Sequence, residues 1–234
     1  MKPVTGHRTP DPGLRTPNPD HRSPAFLCLL AVLVLVAAAG LLGVDRLVAQ
    51  AVRDHLPKNG SIHRVADGIS LIGGIGIYPL AALALLIWAW WIRPHRGLWR
   101  ACLWMLTAEA ACSLLVRVLK IGLGRWRPGQ ELAGQFEFFQ GRIFNAKCHS
   151  FPSGHTADAA AVAAVLWFVY PRLRPLYVAW VVVMAASRVC AQQHFVADTA
   201  TGAALGILCA LVVGRKLDVL ERWIAPHRPK NGES

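Results

Sequence analysis

Long apolar stretches alternate along the chain with short polar, mostly basic segments, and the longest of them have the length of membrane-crossing helices. Ala25 to Val44 is an uncharged run of about twenty residues, enough for an α-helix to cross a hydrocarbon core of about 30 Å. From Asp45 to Asp67 charges mix with Leu, Val and Ile at helical spacing around Pro57 to Gly60, which predicts amphipathic helices lying at the interface. Ile69 to Ile92 is a second span, closed by Trp88, Trp90 and Trp91 as an aromatic belt and followed by Arg93, Arg96 and Arg100. Ala101 to Leu119 is a third, interrupted by Glu109 and closing with Arg117 and Lys120, before a polar loop carrying Trp126, Phe136, Phe138 and Phe139. Thr156 to Tyr170, Leu176 to Val189 and Thr199 to Gly214 complete the set, with Arg172 and Arg174 between the fourth and fifth and Arg215 and Lys216 after the sixth. The expected fold class is all-α, a polytopic membrane helix bundle with six transmembrane helices.

Composition agrees with a membrane chain. Hydrophobic residues make up 54% of the 234 and charged residues 16%, against about 25% in an ordinary soluble domain, and mean hydropathy is +0.39. That balance argues against a soluble enzyme and excludes disorder across the whole chain. The net charge of +12 could serve nucleic acid, but the basic residues fall between apolar segments instead of forming one face or run, so no nucleic-acid partner is expected. Residues 1–24 hold six prolines and a short echo, RTPDPG then RTPNPD, and read as a disordered basic tail. Residues 25–216 form the six-span domain and 217–234 a C-terminal tail. Ala37 to Ala39 resembles a signal-peptidase site, but the long polar leader favours an uncleaved anchor. With the basic loops inside, the positive-inside rule gives a multi-pass protein of the inner (plasma) membrane with both termini cytoplasmic.

Three clusters carry chemistry: Lys120 to Pro128, then Pro152-Ser153-Gly154-His155, then Ser187-Arg188 with His194 and Asp198 downstream. The first follows helix three, the second opens helix four and the third bridges helices five and six, so span parity places all three on one face, toward the periplasm or cell exterior. Lys120, Arg127 and Arg188 can neutralise phosphoryl oxygens, while Ser153 and the amides near Gly154 add donors at a helix N-terminus. His194 and Asp198, four residues apart, share a helix face, so the carboxylate can hold one ring nitrogen protonated and leave the other to attack phosphorus. His155 remains to protonate the leaving alcohol oxygen.

The blocks K-x6-RP, PSGH and SR-x5-H-x3-D stand here without a departure, and with them residues 65 to 215 resemble the type 2 phosphatidic acid phosphatase superfamily. The resemblance implies a phosphohydrolase that works without a metal or other cofactor, through a phosphohistidine on His194, on a lipid phosphate or pyrophosphate held in the bilayer. Phosphoryl transfer to a second lipid would use the same residues, and a transporter would not need the two histidines. A vanadium haloperoxidase shares the anion pocket by family relation, but those relatives are soluble. The lipid remains open among phosphatidylglycerol phosphate, phosphatidic acid, undecaprenyl pyrophosphate and phosphorylated lipid A, with the loop Gly129 to Ser150 expected to select; the oligomeric state is open too.

Other residues carry blander expectations. Arg125, Arg142 and Lys147 read as interfacial anchors, and His7, His21, His55, His63, His95 and His227 as solvated. His149 could touch a headgroup. Asp158, one turn after His155, either orients that histidine or bonds neighbouring hydroxyls. Glu109 lies on the helix face of Lys120, about 16 Å deeper, and is expected to point into the bundle. Ala159 to Ala164 predicts close helix packing. Cys148 and Cys190 flank blocks that must converge, so a disulfide between them is one expectation; the other four of the six cysteines fall in spans or near their cytoplasmic ends. Sidedness is checked by reporter fusions: alkaline phosphatase joined after residue 140 is expected to be active and after Arg174 inactive, and the reverse pair would invert the topology.

Overall fold

The computed structural model describes residues 24–57, 60–73, 76–91, 96–139 and 145–224. The tail expected over 1–24 lies outside these residues apart from Pro24, as do Arg93, Arg142, His7, His21, His95 and His227. Among the described residues every element longer than a turn is helical: α1 (Pro24–Ala39), α2 (Asp45–His55), α3 (Ser61–Ile72), α4 (Ile77–Trp91), α5 (Arg96–Leu123), α6 (Gly154–Val169), α7 (Arg174–Cys190) and α8 (Val196–Ile224). α8 runs past residue 216, where the C-terminal tail was placed. Among the described residues five stretches are long and apolar enough to cross a membrane, Leu27–His55, Ser61–Trp88, Leu98–Leu123, Pro171–Cys190 and Val196–Leu217. α6 is the sixth apolar helix and is shorter.

Two boundaries differ from the sequence expectation, and glycine explains both. The second apolar stretch begins at Ser61; α3 ends at Ile72, α4 begins at Ile77, and Gly76, just before α4, takes a φ of 113°. The first span is kinked. Its π turn over Gly40–Val44 contains Gly43 at φ 143°, and α2 starts directly after it. The face of α2 made by Asp45, Val48, Ala49 and Val52 then turns toward the loop between α7 and α8.

α6 and α8 form the centre. α5 packs on both, α1 runs along α8, α7 along α6, α3 along α7 and α4 along α5. At 16 residues α6 is only ~24 Å long, less than a bilayer core, but it is buried all round from Thr156 to Ala161 and along one side on to Ala164, Val165 and Val169. Its alanines admit α8 at close range, as the Ala159 to Ala164 run predicts. A Cβ on Gly206 would stand 2.1 Å from Ala157 O, and one on Gly202 2.4 Å from Ser153 O. At the far end of the bundle Trp104 donates to Ala210 O at 2.7 Å and lies flat against Phe168. Outward faces carry exposed apolar side chains such as Leu35, Leu42, Leu80, Leu114 and Val182, the surface a lipid-embedded bundle presents. Glu109, 4% exposed, faces inward as expected.

The α6–α8 contact is the packing feature most sensitive to one methyl group. Gly206→Ala is expected to cost about 1–3 kcal/mol, read as a lower melting temperature in detergent, because overpacking moves backbone against backbone. Gly68→Ala, whose Cβ would meet nothing within 4 Å, serves as the helix-interior control and is expected to melt no lower than the parent.

Candidate active site

The three sequence clusters meet at one end of the bundle. Lys120 stands in the last turn of α5, Gly154 and His155 in the first turn of α6, Arg188 in the last turn of α7 and Asp198 in the first turn of α8. After α5 the chain turns at Gly124, φ 58°, where a Cβ would be 2.4 Å from Glu137 O. Residues 124–126 then pair with 134–137: Trp126 N donates to Gln135 O and Glu137 N to Gly124 O, each within 3.1 Å. On the other side Arg127 N donates to Lys147 O at 3.0 Å and Ser150 N to Arg125 O at 2.9 Å. The extended 125–127 segment is thereby held between two loops, with Lys120 Nζ donating to His149 O at 2.9 Å.

The PSGH block is joined directly to the histidine block. Ser153 N donates to Asp198 O at 2.9 Å, and the Ser153 hydroxyl, fully buried, lies 3.1 Å from that of Thr156. Arg188 O accepts from the amides of Gln193 and His194, which folds the 191–195 turn back over the end of α7. His194 Nδ1 stands 3.6 Å from Asp198 Oδ2, just beyond hydrogen-bond range. The Arg127 Nη1 donates to Gln193 Oε1, while the buried Nε atoms of Arg127 and Arg188 have no protein partner. Beside Arg127 a cavity of about 340 Å³ is lined by Lys120, Arg117, Arg127, His149, Gly154 and Asp158, among others. Its wall offers an anion the Arg117 and Arg127 guanidinium groups, the Lys120 ammonium group and the N-terminus of α6. Among the described residues no three His, Cys, Asp or Glu side chains cluster as metal ligands.

Asp198 is the most heavily bonded side chain of the site. Fully buried, it accepts from Arg125 Nη1, from Ser150 Oγ and, at 2.8 Å, from Phe195 N. Arg125 is therefore no interfacial anchor. It is 4% exposed, its guanidinium lies 4.2 Å from the Phe195 ring centroid and 5.2 Å from that of Phe136, and its second arm donates to Asp45 Oδ2 at 2.8 Å. Sequence reasoning missed Asp45, Arg125, Ser150 and Gln193. A signal existed for the first two: an acid at the end of span one and a base at the end of span three share one end of the bundle.

The remaining expectations divide. Lys147 is exposed, as an anchor would be, and His149 reaches the cavity wall. Asp158 is buried and accepts a long bond, 3.4 Å, from Ser113, the second of its two readings. His63 is not solvated; its side chain is 14% exposed and pairs with Asp67 at 3.1 Å, one turn along α3. No disulfide joins Cys148 and Cys190: the buried Cys148 thiol turns to Asn145 O instead.

The sequence profile of the PAP2 superfamily matches residues 97–219, a stretch containing all three motif blocks. The chain belongs to the PAP2 superfamily. A lipid A 1-phosphatase of Rhizobium etli is 32% identical over 119 residues, 48% of this chain and 50% of that protein. Another, of Rhizobium johnstonii, is 33% identical over 109 residues, 44% of this chain and 43% of its own length. The chain thus spans about half the length of the curated relatives it matches. In architecture this PAP2 bundle is similar to the transmembrane PAP2-type phosphatidylglycerolphosphate phosphatase of Bacillus subtilis, with a TM-score of 0.61, 23% identity and coverage of 85% of this chain and 98% of that one. It is also similar to Aquifex aeolicus LpxE, with a TM-score of 0.54, 22% identity and coverage of 74% and 94%.

Electrostatically this PAP2 site holds its histidine neutral. Burial pushes the His194 imidazole down to about 3, with the Asp198 carboxylate opposing the shift, and burial likewise pulls the Arg127 guanidinium below its ordinary range. A histidine held neutral contributes stability that is complete above its unfolded value of 6.5 and is lost as pH falls from there through about 3. Melting temperature in detergent is expected to fall on acidification over that window, and His194→Gln to flatten the slope. Equal slopes in the two proteins would show that His194 is not the group being titrated.

Proposed function

We propose that the protein is an integral-membrane lipid phosphate phosphatase that hydrolyses a phosphomonoester or pyrophosphate through a phosphohistidine on His194. The observation that carries this reading is the pair of buried, unpartnered guanidinium nitrogens, Arg127 Nε and Arg188 Nε, beside a histidine backed by a buried carboxylate. Buried donors without acceptors are costly, and a tetrahedral oxyanion supplies the acceptors they lack.

In this mechanism Asp198 orients His194 through Nδ1, and the Nε2 lone pair forms an N–P bond as the P–O bond of the ester breaks. Lys120, Arg127 and Arg188, with the Ser153 hydroxyl and the amide of Gly154, take up the charge that builds on the non-bridging oxygens. His155 gives its proton to the departing alcohol oxygen, then takes one from the water that attacks the phosphohistidine. Phosphate leaves and His194 returns neutral. The cations do the charge stabilisation here, so the reaction as written uses no metal.

The lipid is a phosphorylated lipid of the outer leaflet, and the curated relatives direct the first trial to lipid A 1-phosphate. On this reading α6 makes the sixth crossing of a plasma-membrane bundle, the site opens to the periplasm or exterior and both termini lie in the cytoplasm.

Purified protein is tested for phosphate release from the four candidate lipids in the presence of EDTA. His194→Ala is expected to abolish turnover, and His155→Ala to lose about 10²–10⁴-fold on lipid alcohols but much less on an aryl phosphate, whose leaving group needs no proton. Turnover by the His194 variant, or a strict demand for magnesium, would sink the mechanism; label passing to a second lipid instead of water would make the protein a phosphotransferase.

A further inference from the structure

One side chain, Asp45, reaches the site from the first span and lies outside the motif blocks. The chain leaves α1, passes the π turn with its non-helical Gly43 and re-enters a helix at Asp45, which is 3% exposed. Asp45 Oδ1 accepts from the amide of Ala197, in the first turn of α8, at 3.0 Å, and its Oδ2 accepts from Arg125 Nη2 at 2.8 Å. The other terminal nitrogen of Arg125 donates to Asp198 Oδ1. Gly40 closes over the contact: a Cβ there would stand 2.7 Å from Asp45 Oδ1 and 2.8 Å from the Ala197 side chain. Asp45, Arg125 and Asp198 are therefore a continuous line of charge-assisted contacts, with His194 Nδ1 3.6 Å from its end at Asp198 Oδ2.

Charge explains what Asp45 adds. When His194 Nε2 bonds phosphorus the ring becomes positive, and Asp198 is the group placed to stabilise it. Were Arg125 to face Asp198 alone, one guanidinium would cancel one carboxylate, and the hold of Asp198 on Nδ1 would weaken. Two carboxylates sharing a single guanidinium keep a net charge of −1 on the line, in a water-poor setting where such a charge acts strongly. The amide bond to Ala197 fixes the second coordinate, because Ala197 directly precedes Asp198. We infer that Asp45 is a positioning residue of the nucleophilic step: through Arg125 and the Ala197 amide it sets the orientation of Asp198, and by sharing Arg125 it leaves the negative charge of Asp198 uncancelled toward His194. Asp45 exchanges no proton and touches no substrate. The inference rests on the phosphohistidine reading above and deepens it.

The experiment compares Asp45→Asn, Arg125→Gln and the double variant with the parent, in the full-length detergent-purified protein. Turnover of a soluble aryl phosphate is measured together with binding of vanadate and of inorganic phosphate by vanadium and phosphorus NMR. Vanadate takes the five-coordinate, histidine-bonded geometry of the reaction, whereas phosphate reports only the cation cluster. For Asp45→Asn kcat is expected to fall about tenfold to a hundredfold, the range for loss of a hydrogen bond between charged groups, with KM within about twofold. Vanadate affinity should weaken in the same proportion while phosphate affinity stays, and the double variant should be no worse than Arg125→Gln alone. A purely structural role would lower the fraction of active protein and leave both binding constants unchanged; that result, or parental vanadate affinity in Asp45→Asn, overturns the inference. If Asp45→Asn does not fold, Gly40→Ala, which presses a methyl group on the Asp45–Ala197 contact, is expected to show the same split at smaller amplitude, and unchanged vanadate affinity there is equally fatal. A parent protein that binds vanadate but frees no phosphate from any lipid would overturn the functional reading while leaving the Asp45 comparison readable. Failure to bind vanadate would overturn both.

Discussion

Burying the Asp198 carboxylate strips it of water, and an ion in that position costs several kcal/mol unless donors replace its hydration. The replacements come from separate parts of the chain: Arg125 from the segment after α5, Ser150 from the loop before α6, Phe195 from the turn after α7. None is adjacent to another in sequence, so the carboxylate is satisfied only when all three segments have docked. That requirement ties folding of the site end to its chemistry. In the proposed mechanism the residue that orients the histidine is the same one that cannot be buried until the loops are in place.

The second constraint is the distance between α6 and α8. Glycines on α8 against alanines and bare backbone on α6 bring the two helices close enough for the Ser153 amide to reach the Asp198 carbonyl. Larger residues along that seam would move PSGH away from the histidine block and open the cavity beside Lys120 and Arg127. Lipid gives helices little hydrophobic reason to associate, so small residues and van der Waals contact carry the seam. Its precision is thus a matter of shape, while that of the site end is a matter of charge.

Much of this was legible in the chain because it is written in runs and fixed spacings. Six apolar segments, the parity that collects Lys120, His155, Arg188 and Asp198 at one end, and the inward face of Glu109 follow from period and length. What escaped reading depends on partners far apart in sequence. Arg125 sits two residues from Arg127 and looks like any base at a helix end; only its contacts with Asp45 and Asp198, 80 and 73 residues away, show otherwise. His63 is the exception, since its partner Asp67 stands one turn along α3 and the i, i+4 spacing was there to be read. The break between α3 and α4 was readable from three glycines and was overlooked, because hydropathy alone runs smoothly through them.

The kink at Gly43 has a further consequence for heredity and transplantation. The stretch recognisable as PAP2 begins at residue 97, yet a carboxylate at position 45 completes the environment of Arg125. Excising the recognisable stretch would leave a buried guanidinium with one acid instead of two and the Ala197 amide without its acceptor. The portable unit is therefore larger than the recognisable one. Chimaeras that exchange the first span between relatives would have to carry the acid and the two glycines that deliver it, or exchange the base at position 125 in the same step.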